Sequence, residues 1–328
     1  MKKLVVYREL PEPLLTVLRK RYEVTYFENI DAGNQAGFAA ALRDAHGMLG
    51  ASTNIKRSLL EPAHALEAAS TISVGYDNFD VDYLTERGII LTNTPGVLTE
   101  ATADTIFALI LASARRVVEM AEYVKAGQWQ QSIGTAEYGV NVYGKTLGIL
   151  GMGRIGQAVA RRGRFGFGMN IVYNSRSPVP ASETEFGARR LSLDELLSQS
   201  DFVCLTLPLT PATHKLIGAR EFALMKPSGI FINGGRGATV DETALIEALR
   251  DGTIHAAGLD VFEQEPLPVS SPLLAMKNVI ALPHIGSATY ETRYAMSQMA
   301  VDNIIAALDG TPQNVVNPAA LNRRATHS

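Results

Sequence analysis

The sequence predicts an α/β protein made of two doubly wound parallel-sheet domains. Two observations carry this. Short apolar, β-type runs alternate with helix-like stretches along most of the chain, and such alternation gives parallel strands with helices on both faces. The alternation is interrupted once, at Thr94-Pro95-Gly96, by a break with a long helical stretch behind it. The length of 328 residues leaves room for two domains at about 150 residues each.

In the first half, strand-like runs fall at 4–7, 24–27, 48–50, 71–74 and 89–92, with helices near 12–21, 37–45, 57–69 and 80–86. After the break a helix runs from Thr99, a plausible N-cap, to about Lys125. Its segment 106–111 is apolar nearly all the way round, which predicts burial on every side. Residues 127–143 read as a long irregular loop carrying Trp129 and Tyr138, and loops of that length usually serve a function. A second β-α block starts at Lys145, with six strands near 147–150, 169–173, 202–205, 229–233, 256–260 and 279–282. A final helix, near 290–308, has the spacing to pack back on the first domain. The expected layout is a discontinuous domain, 1–98 with 289–328, into which 99–288 is inserted. The cleft between them is the expected meeting place of substrate and cofactor.

Composition narrows the function classes. A net charge of −3 gives no reason to expect nucleic acid or an anionic membrane as partner. Cys204 is the single cysteine, so no intramolecular disulfide forms; it lies in the apolar run 202–207 and reads as a core residue. The apolar run before Arg8 is too short for a signal-peptide core. The most apolar helix, 106–114, is bounded by Asp104, Arg115 and Arg116, well short of the roughly 20 residues of a membrane span. No membrane association and no metal are expected, and a cytoplasmic location is the default.

The inserted block opens on LGILGMGRIGQAVARRGRFGFGMNIVYNSR, residues 147–176. Gly151, Gly153 and Gly156 form G-x-G-x-x-G between two apolar strands. The first glycine makes the tight turn, the second lets backbone approach a pyrophosphate, and the third lets helix pack on strand. The helix N-terminus then offers amides and a partial positive charge to that pyrophosphate. Sites for NAD place Asp or Glu about 20 residues further on, to take the ribose 2′-hydroxyl. Here the second strand ends Asn174-Ser175-Arg176, without an acid. Arg176 can bind a 2′-phosphate by charge-assisted bonds, and Ser175 and Asn174 can add neutral ones. NADPH is therefore expected over NADH. NADH stays open, because Arg176 also reads as a solvated residue beside a lost acid. Arg154, within the motif, reads as a phosphate contact or a surface charge.

Three further stretches put polar residues at the ends of late strands, where open α/β folds bind ligands. They are 231–237 with Arg236, 259–266 with Asp260, Glu263 and Glu265, and 282–287 with His284. Singly, Arg236 also reads as a surface charge, Glu265 as solvated and His284 as structural. Jointly they make one arrangement. An arginine fork binds and polarises a planar carboxylate or carbonyl. A histidine transfers a proton, and a glutamate beside it favours the protonated ring. A hydride leaving a nicotinamide for a carbonyl needs that proton.

At these residues the chain resembles a known family, the D-isomer-specific 2-hydroxyacid dehydrogenases, over essentially its whole length. GMGRIG, INGGRGATVDETAL, AAGLDVFEQEP and PHIGSAT carry the resemblance. STISVGYDNFDVD, TNTPGVLTEATADT and YNSRS point to the glyoxylate/hydroxypyruvate reductase branch of 2-ketogluconate reductase type. The resemblance implies a Rossmann cofactor domain inserted into a flavodoxin-like substrate domain. It implies Arg236, Glu265 (not Glu263) and His284 as catalytic residues. Asp260 would contact the nicotinamide end. Thr102, Arg154, Ile155, Leu207, Pro208, Thr213 and Gly234 would make other cofactor contacts. The backbone amides of Val74 and Gly75 would grip the substrate carboxylate together with Arg236, with His284 at the reacting oxygen. A homodimer through the cofactor domains is implied too, around the long helix and the loop up to Tyr143, with Trp129 a candidate to reach the neighbouring site. The expected activity is NADPH-dependent reduction of glyoxylate, hydroxypyruvate or 2-ketogluconate. Its rivals are an NAD-linked dehydrogenase acting oxidatively and a non-catalytic nucleotide sensor on the same fold.

Overall fold

A computed structural model describes residues 1–324. The chain divides into two compact units, Met1–Leu98 with Thr289 onward, and Thr99–Ala288. The last four residues assigned above to the first domain, 325–328, lie outside the described residues.

The first unit begins with β1 (Lys3–Val6), α1 (Glu12–Arg21), β2 (Glu23–Tyr26), α2 (Gln35–Leu42), β3 (Gly47–Gly50), α3 (Arg57–Leu60), β4 (Ala68–Thr71), α4 (Val81–Glu86) and β5 (Ile90–Thr92). The strands form one parallel sheet in the order β2-β1-β3-β4-β5. That is the flavodoxin-like doubly wound order. One expected strand is misplaced: the run at 71–74 gives way to β4, three residues earlier, whose first two residues fall in what reads as helix 57–69. Pro62 follows α3 closely, and proline stops a helix. The Ala-Ala-Ser-Thr of β4 carries no β-type signal, yet all four residues are buried. Small side chains are what a central strand under a helix can accommodate.

The second unit runs α5 (Thr99–Ala114), α6 (Val117–Lys125), β6 (Thr146–Leu150), α7 (Arg154–Arg161), β7 (Asn170–Asn174), α8 (Pro180–Phe186), β8 (Arg189–Arg190), α9 (Leu193–Gln199), β9 (Phe202–Leu205), α10 (Ala219–Leu224), β10 (Ile230–Asn233), α11 (Glu242–Arg250), β11 (Ala256–Leu259) and β12 (Val279–Ala281). Its parallel sheet has the order β12-β11-β10-β9-β6-β7-β8. This is the dinucleotide-binding order, with its switch point between β6 and β9. Seven strands replace the six expected. The additional one, β8, is a two-residue pairing beside β7, too short to leave a periodic signal.

The expected helix 99–125 is two helices. Arg116 sits in the left-handed region at φ 53° and separates α5 from α6. The Ala114 carbonyl accepts from Val140 N–H instead of continuing the helix. Arg116 donates to the Ala136 and Tyr138 carbonyls and pairs with Glu119, which fixes the loop against the break. Nor is 106–111 buried all round: Ala108 is exposed and Leu111 half-buried, leaving a groove with Phe107 and Phe167. Cys204 is fully buried, and burial pushes its thiol up to about 12, as suits a core residue.

The chain then returns to the first unit with α12 (Tyr290–Leu308) and α13 (Ala319–Arg324). Thr289 caps α12 by accepting from Thr292 N–H. The helix packs on the face of β3 and β4, where Ser70 Oγ donates to the Ala300 carbonyl. No helix among the described residues is long and apolar enough to cross a membrane.

Candidate active site

The loop after β6 is shaped for a pyrophosphate. Gly151 turns at φ +101°, a conformation L side chains rarely adopt. A Cβ on Gly156 would overlap the Gly151 carbonyl, so helix α7 packs against the turn only with glycine there. A Cβ on Gly153 would meet nothing within 4 Å, and that open backbone is where a ligand can approach. Arg154 begins α7 and is exposed. Ile155, half-buried, packs against the unit's core. These residues fit a dinucleotide, held by the amides at the helix start.

Across the switch point, Leu207 lies against Gly151, and a Cβ on Gly235 would come within 2.8 Å of the Leu207 carbonyl. Pro208 and Thr213 belong to a closed turn: Thr213 Oγ1 donates to the Pro208 carbonyl (2.7 Å) and accepts from Thr210 N–H. Gly234 sits directly over Ile106 of α5. At the end of β7, Asn174 donates to the Leu191 carbonyl and Ser175 Oγ to the Ser177 carbonyl. Arg176 is exposed. Tyr173, fully buried, accepts from Val179 N–H and donates to Glu183, which braces the far side of this tip.

Arg236 is set by the turn after β10. Buried Asn233 accepts from Gly235 N–H and donates to the Arg236 carbonyl, and Thr239 Oγ1 donates to that carbonyl too. A Cβ on Gly237 would overlap the Phe262 carbonyl group. This close approach brings the arginine's turn against the loop that carries Glu265. Arg236 donates from Nη1 to the Gly235 carbonyl.

Glu265 and His284 meet, Oε2 to Nδ1 at 2.7 Å. Glu265 Oε1 also accepts from Phe262 N–H at 3.1 Å. Burial pushes the Glu265 carboxyl up. The His284 hydrogen bond and charge, the Phe262 amide and the Arg236 charge outweigh that and hold it below the usual carboxylate range. Glu263, by contrast, pairs with Lys215 at 3.0 Å. His284 itself sits in the left-handed region at φ 54°, a strained position for a non-glycine residue.

Asp260 accounts for that conformation. It is 3 % exposed, and its two oxygens accept from Ile285 N–H (2.7 Å) and Gly286 N–H (2.8 Å). Burial raises the Asp260 carboxyl above its usual value, against the pull of those two amides. Asp260 is thereby the anchor of the His284 loop. Buried Thr102 of α5 lies beside Gly286 in the same corner. The structure thus gathers Arg236, Asp260, Glu265 and His284 at neighbouring strand ends of one unit.

Val74 and Gly75 lie on the first unit, in the turn after β4. Their carbonyls accept from Asn93 Nδ2 (2.8 Å) and Ser73 Oγ (2.5 Å). Among the described residues no acceptor takes either N–H, so both amides are available to an anion. Three residues that hold backbone carbonyls escaped the sequence reading: Asn93, Asn233 and Arg190, which donates to the Ser175 and Arg176 carbonyls. Asn93 stands in a quoted motif, yet only the fold shows whose carbonyl it holds. Arg190 left no signal beyond two adjacent charges.

A family profile described as "D-isomer specific 2-hydroxyacid dehydrogenase, NAD binding domain" matches residues 107–286. The chain is 59 % identical over 319 residues to glyoxylate/hydroxypyruvate reductase B of Yersinia enterocolitica, covering 97 % of this chain and 98 % of that one. Among solved structures it is similar to a Thermus thermophilus protein, at 44 % identity and TM-score 0.88, covering 96 % and 99 % of the two chains. It is also similar to an NADPH-dependent glyoxylate/hydroxypyruvate reductase from Sinorhizobium meliloti, solved with NADP and malonate. There the identity is 34 % and the TM-score 0.82, with 94 % of each chain covered.

Proposed function

The chain belongs to the D-isomer-specific 2-hydroxyacid dehydrogenases and is an NAD(P)H oxidoreductase that reduces small 2-oxo acids; on that premise we propose that NADPH is its preferred cofactor and that Arg236, Glu265 and His284 are its catalytic residues. The Glu265–His284 pair at 2.7 Å, beside the Arg236 turn, carries the proposal. Bound NADPH supplies the hydride. Arg236 and the amides of Val74 and Gly75 take the substrate carboxylate. Glu265 accepts from the Nδ1 side of the His284 ring, which leaves Nε2 to hand a proton to the forming hydroxyl. Because Glu265 is held below the usual carboxylate range, it stays ionised through the neutral range and keeps the ring in one tautomer and orientation.

The acid-free tip at 174–176, the exposed Arg176 and the NADPH-dependent relative support the cofactor choice. Glyoxylate and hydroxypyruvate are the first substrates to test, from the relatives' names, with 2-ketogluconate the third. We place the enzyme in the cytoplasm, as a homodimer of cofactor domains. Exposed Val117, Val118, Val124, Trp129, Ile133 and Tyr138 in the 117–143 segment supply the apolar surface for that pairing. The deciding experiment follows NADPH oxidation by the purified chain with a panel of 2-oxo acids. Turnover of glyoxylate or hydroxypyruvate, faster with NADPH than with NADH, is expected. Absence of turnover with every acid sinks the reading.

A further inference from the structure

We propose that Arg190 is a specificity-determining residue for a 2′-phosphorylated dinucleotide, acting as a positioning residue through the backbone of the β7 tip. The inference rests on the NADPH reading above and deepens it.

Strand β8 delivers this side chain. Its register pairs Val172 with Arg189 and Tyr173 with Arg190, so Arg190 stands beside the last residues of β7. Its guanidinium grips two successive peptide carbonyls. Nε and Nη2 donate to the Ser175 carbonyl at 3.2 and 2.9 Å, and Nη2 donates to the Arg176 carbonyl at 2.9 Å. In a trans peptide the N–H of the next residue points opposite to the carbonyl. Turning these two carbonyls toward Arg190 therefore turns the N–H groups of Arg176 and Ser177 away from it. Among the described residues no acceptor takes either N–H. Two successive outward amides make an anion-binding concavity, and the exposed guanidinium of Arg176 belongs to the same turn. The nearby Glu183 accepts from the Tyr173 hydroxyl at 2.6 Å.

The grip depends on shape as well as charge. A planar fork reaches two adjacent carbonyls at once; an ammonium is a point charge on a flexible stem. Without the fork the Ser175 and Arg176 carbonyls lose their donors, and the two peptides are released to rotate. The cost falls on the cofactor that carries the phosphate. Arg190 is exposed at the sheet edge, so its replacement leaves the core intact.

The test compares the purified full-length wild type with Arg190→Ala and Arg190→Lys. It measures KM for NADPH and for NADH with glyoxylate, kcat, and competitive inhibition by adenosine 2′,5′-bisphosphate and by AMP, with a thermal melt for each protein. In both variants KM for NADPH rises about tenfold, the scale of one charge-assisted interaction, while KM for NADH and kcat change by less than about twofold. Inhibition by the bisphosphate weakens in parallel and that by AMP does not. Lysine retaining the wild-type KM for NADPH overturns the inference, because charge alone then suffices. Equal losses for NADPH and NADH overturn it as well. A wild type without preference for NADPH removes the NADPH reading, and this inference with it. A selective wild type whose variants stay selective removes the inference alone.

Discussion

Replacing Asp260 by asparagine tests whether His284, the proposed proton donor, is placed from behind. The wild-type carboxylate is 3 % exposed and accepts two backbone amides, from Ile285 at 2.7 Å and Gly286 at 2.8 Å. Asparagine keeps one acceptor and points its own N–H groups at the other amide. An unsatisfied buried donor costs about 1–3 kcal/mol. Relief from burying a charge, which already raises the carboxyl above its usual value, offsets part of this. A net loss of about 1–2 kcal/mol remains, a fall in melting temperature of about 2–8 °C for a unit of this size. The effect on catalysis is larger. His284 is held at φ 54°, a strained conformation worth about 1–3 kcal/mol, and the Asp260 anchors oppose its relaxation. A displacement near 1 Å at a reacting group costs about a hundredfold in rate. Glyoxylate reduction at saturating NADPH, with a thermal melt in parallel, reads both effects. The expected Asp260→Asn protein is folded, melts a few degrees lower, and has kcat reduced by about a hundredfold. A kcat near wild type with a raised KM for NADPH would refute the reasoning, since Asp260 would then act on the cofactor.

Three other predictions follow from the same corner. His284→Ala and Arg236→Ala each lower kcat/KM for glyoxylate and hydroxypyruvate by at least about a hundredfold without changing the circular dichroism spectrum; near wild-type turnover in either removes the proposed mechanism. Gly237→Ala drives a methyl into the Phe262 carbonyl group, so the protein melts lower by several degrees, about 1–3 kcal/mol for an overpacked site, and loses activity; unchanged stability shows that the two turns can part freely. The last concerns acid. Glu265 is held below its ordinary value of 4.5 in the fold, so its contribution to stability is fully present above about pH 4.5 and is lost as pH falls through the lower, folded value. The melting temperature of Glu265→Gln should trail wild type above about pH 4.5, and the margin should shrink as pH falls below that value. A margin that widens as pH falls below about 4.5 contradicts the assigned sign.

Much of the fold and the site was legible because both are written in local patterns. Alternating apolar runs and helical stretches determined two parallel α/β units. Three glycines between two strands pointed to a dinucleotide-type turn; in the fold Gly151 turns at positive φ, a Cβ on Gly153 would meet open space, and one on Gly156 would overlap the Gly151 carbonyl. Residue types at strand ends singled out Arg236, Asp260, Glu265 and His284. Other features depend on contacts remote in sequence, which local periodicity does not carry. Four small buried residues form β4 because a helix more than 200 positions away packs on them, Ser70 bonding to Ala300. The long helix breaks at Arg116 because the 136–140 backbone offers better partners than another helical turn. Glu265 and Glu263 are equivalent by composition; the family motif separates them, and packing gives one His284 and the other Lys215. Arg190 shows the limit most clearly: two adjacent arginines read as surface charge, until sheet pairing sets one of them on the Ser175 and Arg176 carbonyls.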